Sequence, residues 1–184
     1  MTRHLLMLGG ARSGKTALAE RLAMHEGRKP AYLATAKALD SEMRERVESH
    51  QRGRAGRFQT IEEPLALSDA IITASARHDV ILVDCLTLWI TNMLMAEEEV
   101  ASAVEQLAAT LVQIKNTKII LVSNEVGLGI VPDNAMARTF RDLAGSAHQR
   151  LAEICDDVYF VVAGLPMVLK GEPPRSDASP HYEA

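Results

Sequence analysis

This chain predicts an α/β fold built on one mostly parallel sheet flanked by helices, and three features of the sequence lead there. Short apolar runs alternate with longer helical patterns, the runs are apolar at successive positions, and a polar or glycine-rich turn closes each of them. Strands apolar at every position are buried on both faces, which is the situation of a parallel sheet covered by helices. At 184 residues, 47% apolar and 24% charged, the chain suits one domain with its own core. Only 4% of the residues are aromatic, so that core is aliphatic.

In chain order, Leu5 to Leu8 reads as the first strand, and Lys15 to Met24 as the helix after it. Ala31 to Ala34 is the second strand. A charged stretch, Ser41 to Arg52, reads as a helix because Ser41 followed by Glu42 and Glu45 resembles a helix start. Gly53 to Gln59 is rich in Gly and Arg and reads as a loop leading to a short extended piece, Phe58 to Ile61. Then come a helix over Leu65 to Ala76, a strand over Val80 to Val83, a long alanine-rich helix over Glu97 to Lys115 and a strand over Ile119 to Val122. Pro132-Asp133 announces a helix over Asn134 to Ala152, and Val158 to Val162 is the last strand. From Gly171 the sequence turns polar and proline-containing without periodicity, so residues 1–170 are expected to form the domain and 171–184 a flexible tail.

Composition excludes several classes of function. The formal charge is -4 and no long basic tract is present, which argues against a sequence-independent grip on nucleic acid. Cys85 and Cys155 lie far apart and outside any C-x-x-C pair, so neither a disulfide framework nor a zinc site is expected. No apolar stretch approaches the ~20 residues of a membrane helix, and the run Leu5 to Gly9 is too short for the core of a signal peptide. The expectation is a cytoplasmic protein without membrane insertion.

Gly9-Gly10-Ala11-Arg12-Ser13-Gly14-Lys15-Thr16 matches G-x-x-x-x-G-K-[ST], follows an apolar strand and opens a helix. Glycines let the backbone turn tightly enough for consecutive N–H groups to converge on phosphate oxygens, and the helix N-terminus adds a favourable dipole. Lys15 would neutralise β and γ oxygens, and the Thr16 hydroxyl would ligate Mg²⁺. The same metal calls for a carboxylate at the end of a neighbouring strand, and Asp84, directly after Val80 to Val83, supplies it. The fold class is thereby narrowed to a P-loop NTPase, and the RecA-like type is the form expected. A GTPase switch would carry Asp-x-x-Gly and Asn-Lys-x-Asp, whereas the matching places read Asp84-Cys85-Leu86-Thr87 and Asn124-Glu125-Val126-Gly127.

Further stretches make the chain resemble a known family across about Leu5 to Lys170. These are Tyr32-Leu33-Ala34-Thr35-Ala36, Arg46-Val47-Glu48-Ser49-His50, Asp84 to Trp89, Ser123 to Pro132, Phe140 to Gly145 and Gln149. Together with the phosphate loop they resemble the bifunctional adenosylcobinamide kinase/adenosylcobinamide-phosphate guanylyltransferase family of cobalamin biosynthesis. The resemblance implies two reactions: phosphorylation of adenosylcobinamide with ATP or GTP, then transfer of GMP from GTP to that phosphate through a guanylylated histidine. By position in the family pattern the nucleophile is His50, with Arg54 after it. Nucleotide contacts fall on Ala34, Thr35 and Ala36, on Gln51, Arg52, Gly53 and Arg54, and on Glu62. A homotrimer is implied as well.

The residues alone leave His50 between two roles. An imidazole can attack an α-phosphorus to form a phosphoramidate, and Arg44, Arg46, Arg52, Arg54 and Arg57 surround it in sequence, but an exposed histidine at a helix end fits the same pattern. Ala55-Gly56-Arg57-Phe58 stands where the family more often has a Pro and a Trp, and Asp84 where some relatives carry Glu. His4, His25, His78, His148 and His181 have no partner at metal-ligand spacing and read as surface or satisfied core residues, and Trp89, Met93 and Met95 read as packing. A monofunctional P-loop kinase and a nucleotide-gated regulatory protein are the competing functions.

Overall fold

The computed structural model describes residues 2–36 and 56–174. In chain order these form β1 (Leu5–Gly9), α1 (Lys15–Glu26), β2 (Pro30–Ala34), β3 (Gln59–Glu62), α2 (Leu67–Ser75), β4 (Val80–Asp84) and α3 (Leu86–Met95). They continue with α4 (Val100–Gln113), β5 (Lys118–Asn124), α5 (Ala135–Ile154), β6 (Asp157–Val162) and β7 (Leu165–Lys170). One 7-stranded sheet runs β3-β2-β4-β5-β1-β6-β7, and every strand is parallel to its neighbours except β7, which returns antiparallel along β6. The expected mostly parallel sheet flanked by helices is what the chain forms.

Alternation along the strands divides the core between two faces. Leu5, Met7, Leu82, Ile120 and Val122 point to one side, where Leu18, Ala19, Leu22 and Ala23 of α1 cover them. Leu6, Leu8, Val83, Ile119 and Leu121 point to the other, under α2 to α5. Both sets are almost fully buried, which explains why each strand reads as a continuous apolar run.

Two elements were not anticipated. Helix α3 buries Leu86, Trp89, Ile90 and Met93, an i, i+3, i+4, i+7 stripe, and the Trp89 indole donates to the Leu65 carbonyl at 2.8 Å. Met95 is 70% exposed, so the packing role expected of it holds only for Trp89 and Met93. Strand β7 follows a turn in which Ala163 and Gly164 both have positive φ (52° and 80°), the geometry of a tight hairpin. The helix expected over Glu97 to Lys115 is shorter, because Glu97 adopts φ 56° in a turn that separates α3 from α4. The extended piece at Phe58 to Ile61 lies one residue later, as β3, and the helix expected over Ser41 to Arg52 is outside the described residues. The start of the expected tail is tied to the sheet: Glu172 N–H donates to Asp157 Oδ1 (3.0 Å) and Tyr159 O–H to the Glu172 carbonyl (2.7 Å).

His4 is held neutral by its partners. Ile119 N–H donates to Nδ1 (3.2 Å), so the ring proton sits on Nε2, facing the carbonyls of Leu111 (3.0 Å) and Ile114 (3.1 Å). Protonating Nδ1 would set N–H against N–H and charge a residue only 5% exposed. Burial accordingly pushes this imidazole below its ordinary 6.5, against the raising effect of the two carbonyls. The unfolded chain then takes the proton at higher pH than the folded one, so the stability is present above about 6.5 and is lost as pH falls. Urea titrations between about pH 7 and 5 should show unfolding free energy falling by at most about 1.4 kcal/mol per pH unit from this group. His4→Gln should flatten the slope, and an unchanged slope would refute the assignment.

Candidate functional site

The loop between β1 and α1 is pinned from three directions. Ser13 N–H donates to the Gly10 carbonyl (3.3 Å), Gly164 N–H in the β6–β7 turn donates to the Ser13 carbonyl (2.8 Å), and Glu125 N–H after β5 donates to the Gly9 carbonyl (3.0 Å). A Cβ on Gly9 would stand 2.6 Å from the Val161 carbonyl oxygen and 2.7 Å from Ser13 Oγ, so only glycine fits. Gly14 has φ 91° and packs against Gly164. Helix α1 then begins with no side-chain cap and no acidic residue in its first turn, leaving its first N–H groups and positive dipole end for an anion. Ser13 Oγ is buried in this cradle with no hydrogen-bond partner.

Lys15 lies beneath the loop at 7% exposure, its Nζ donating to the Gly10 carbonyl (3.0 Å). Burial lowers its pKa, while the nearby Asp84 carboxylate favours the charged form. Asp84 does not come from a neighbouring strand, as expected from the sequence, because β5 is inserted between β1 and β4. It still points to the α1 face, as Leu82 does two residues before it, and so towards Lys15. Tyr32 O–H donates to Asp84 Oδ2 at 2.5 Å, and the Tyr32 ring meets Phe58 edge-on, with centroids 6.0 Å apart.

Ala34 pairs with Glu62 on one side and Asp84 on the other, so three expected site residues form one row across the carboxyl edge. Thr35 is fully buried, and its hydroxyl is engaged within the protein: it donates to the Cys85 carbonyl (2.7 Å) and accepts from Cys85 N–H (2.9 Å). Asn92 Nδ2 donates to the Thr35 carbonyl (2.7 Å). These bonds hold the Asp84–Cys85 turn in place. Ala36 is half-buried and ends the described segment, and Thr16 is half-buried in the first turn of α1. His50, Gln51, Arg52, Gly53 and Arg54 lie outside the described residues. For a metal, the donor set is one hydroxyl, Thr16, and one carboxylate, Asp84, and among the described residues no group of three or more His, Cys, Asp or Glu could hold an ion. That set fits Mg²⁺, which takes most of its ligands from phosphate and water.

A polar chain unforeseen from the sequence runs behind the cradle. His148 Nε2 lies 2.7 Å from Ser123 Oγ, Ser123 Oγ lies 3.3 Å from Thr87 Oγ1, and Thr87 Oγ1 accepts from Asn124 N–H (2.7 Å). His148 is 8% exposed, and burial lowers its pKa against the opposing effect of Glu125. The signal available in the sequence was Asn124, a polar residue closing an apolar strand as Asp84 does. A groove of about 580 Å³ lies at the opposite edge of the sheet, where Arg3 pairs with Asp157 and Lys118 with Glu26, each at 2.7 Å. Its lining sets four carboxylates, Glu26, Asp79, Asp157 and Glu172, against two cations, Arg3 and Lys118, an excess of negative charge that disfavours a phosphate there.

The chain belongs to the cobinamide kinase / cobinamide phosphate guanyltransferase family, whose profile matches residues 5–169. It is 48% identical over 170 residues to the bifunctional adenosylcobalamin biosynthesis protein CobP of Pseudomonas aeruginosa, covering 91% of this chain and 98% of that one. It is 40% identical over 181 residues to the bifunctional adenosylcobalamin biosynthesis protein CobU of Salmonella typhimurium, covering 90% and 99%. Among solved structures, an ATPase of a bacterial type III secretion system superposes with TM-score 0.57 at 13% identity, over 96% of this chain and 60% of that one. The flagellar accessory protein FlaH of Methanocaldococcus jannaschii gives 0.51 at 15%, over 93% and 80%. These structural likenesses establish the RecA-like P-loop fold alone.

The close approach at Gly9 makes a specific demand. Gly9→Ala should cost about 1–3 kcal/mol through displacement of the loop, which is roughly a 5- to 150-fold loss of GTP affinity. Gly145→Ala, on α5 with open space around it, serves as the control and should leave affinity unchanged. Isothermal titration with a non-hydrolysable GTP analogue measures both, and equal affinities would show that the cradle tolerates the methyl group.

Proposed function

We propose that this chain phosphorylates the side-chain hydroxyl of adenosylcobinamide with ATP or GTP and then transfers GMP from GTP onto the resulting phosphate. The observation that carries the reading is the buried Lys15 beneath an uncapped helix start, with Asp84 on the same face of the sheet. Family membership selects the acceptor. In the first reaction the acceptor oxygen bonds to the γ-phosphorus while the β–γ bridging bond breaks, and the loop N–H groups and Lys15 carry the charge of the transferring group. Mg²⁺, held by Thr16 and Asp84, would further neutralise the phosphate oxygens. Tyr32 fixes one oxygen of Asp84 and so its orientation.

In the second reaction His50 is the proposed nucleophile. Its imidazole attacks the α-phosphorus, pyrophosphate departs, and an oxygen of adenosylcobinamide phosphate then displaces the histidine. Ala34, Thr35, Ala36, Gln51, Arg52, Gly53, Arg54 and Glu62 are the proposed nucleotide-side residues, with Thr35 acting through the Asp84–Cys85 turn. Among the described residues no helix is long and apolar enough to cross a membrane, which is compatible with the proposed cytoplasmic location. Association is proposed, with a homotrimer as the form the family resemblance implies; β7, an edge strand with Leu165 and Met167 more than half exposed, supports association as such.

Incubation with α- and γ-labelled GTP, Mg²⁺ and cobinamide tests the division of labour. Lys15→Ala should lower both γ-transfer and covalent guanylylation by ~10² or more. His50→Ala should abolish the covalent α-label and retain most of the kinase turnover. Loss of both activities in His50→Ala would refute the division, and γ-transfer without any covalent label in the wild type would leave a monofunctional kinase.

A further inference from the structure

We infer that Asn124 acts on the γ-phosphoryl group in the kinase reaction, and that Thr87, Ser123 and His148 are positioning residues that hold it there. The inference rests on the proposed kinase activity and goes beyond it by giving the γ end of the site a third polar group. Strand β5 lies between β1, which carries the phosphate loop, and β4, which carries Asp84. Asn124 is its last residue and pairs in register with Gly9, the first residue of the loop. By alternation its side chain shares the face of Val122, Leu82 and Asp84, the face on which Lys15 lies. A γ-phosphate held between Lys15 and Asp84 therefore falls in front of Asn124. The carboxamide is half-buried and makes no hydrogen bond among the described residues, and it offers a donor and an acceptor to a ligand.

The backbone of Asn124 is fixed with unusual care. Its N–H is bonded to Thr87 and the next N–H, of Glu125, to the Gly9 carbonyl. Thr87 meets Ser123, which is fully buried on the opposite face of the sheet, and Ser123 meets the buried His148 of α5. Two helices and one strand thus contribute polar groups to orient one strand end. In the reaction, the acceptor hydroxyl oxygen bonds to the γ-phosphorus and the bond to the bridging oxygen breaks, its electron pair leaving with the nucleoside diphosphate. The hydroxyl proton passes to an oxygen of the transferred phosphate. Asn124 Nδ2–H donates to a γ oxygen, and Oδ1 accepts from the attacking hydroxyl and aims it.

The test measures γ-transfer to cobinamide and covalent guanylylation in the same preparations. Asn124→Ala should lower the kinase kcat by ~10²-fold, with the KM for GTP and the guanylylation rate within about 3-fold of wild type, since neither depends on the γ-phosphoryl transition state. His148→Leu should lower the same kcat by ~10-fold through misplacement, and His148→Gln, which keeps a polar group towards Ser123, should recover most of it. A kinase kcat within about 3-fold of wild type in Asn124→Ala overturns the inference, as does a parallel fall of guanylylation, which would mark general damage to the cradle. A His148→Gln variant no better than His148→Leu overturns the positioning role. Wild-type protein that transfers no γ-phosphate would instead overturn the proposed function, so the two failures are told apart by the unsubstituted enzyme.

Discussion

The approach of the Gly9 backbone to the Val161 carbonyl, closer than any side chain allows, is the constraint on which the rest of this site depends. It lets β1 end flush against β6 and lets the chain reverse at once into α1. The helix then starts at Lys15 with no room for a capping side chain, and its first N–H groups stay unpaired. The same turn folds the Lys15 ammonium under the loop, where a single carbonyl receives it. Lys15 donates to one carbonyl and has the Asp84 carboxylate nearby, but the helix N-terminus above it stays unpaired, and a polyphosphate completes it.

The order of the strands decides what faces that anion. With β5 inserted between β1 and β4, the carboxyl edge carries three polar strand ends in a row: Gly9 with its loop, Asn124 and Asp84. Because the faces of a strand alternate, the residue before each end belongs to the other side. Leu8 and Val83 there are core, but Ser123 is not, and it needs Thr87 and His148 to satisfy it. The α1 face is thus given to the nucleotide, and the α2–α5 face to the supports of the strand ends.

Much of this was legible in the sequence. The five strands expected from apolar runs all form, since burial on both faces leaves a composition that nothing else in the chain imitates. The phosphate loop was equally clear, because its glycines answer to backbone geometry that leaves little choice of residue. Helix α3 was missed because its apolar stripe starts almost immediately after β4, with only Asp84 and Cys85 between the two apolar runs and no Gly, Pro or side-chain cap to mark a helix start. Strand β7 was missed for the opposite reason: it is an exposed edge strand, so burial does not mark it. Asp84 was expected on a strand beside β1, and β4 lies one strand further away, since strand order is set by long-range pairing that no local pattern records. The chain from Asn124 to His148 spans 25 residues between Ser123 and His148 and joins elements whose contact depends on that order. His148 by itself is only a histidine on a helix.

On the proposed function one cradle serves two phosphorus atoms, and that places a limit on how the site can be built. Groups that grip the β-phosphate and the loop side of the triphosphate, such as the α1 N–H groups and Lys15, serve either transfer, because both transition states develop charge next to them. Groups that reach only one end must belong to one reaction. Asn124 and Asp84, on strand ends beside the loop, are fixed in the sheet and cannot follow the reacting centre from the γ- to the α-phosphorus. The second reaction therefore needs its own nucleophile from outside the sheet, and a covalent carrier such as the proposed His50 meets that need. A rigid P-loop edge and a separate histidine are, on this reasoning, two consequences of the same fixed triphosphate.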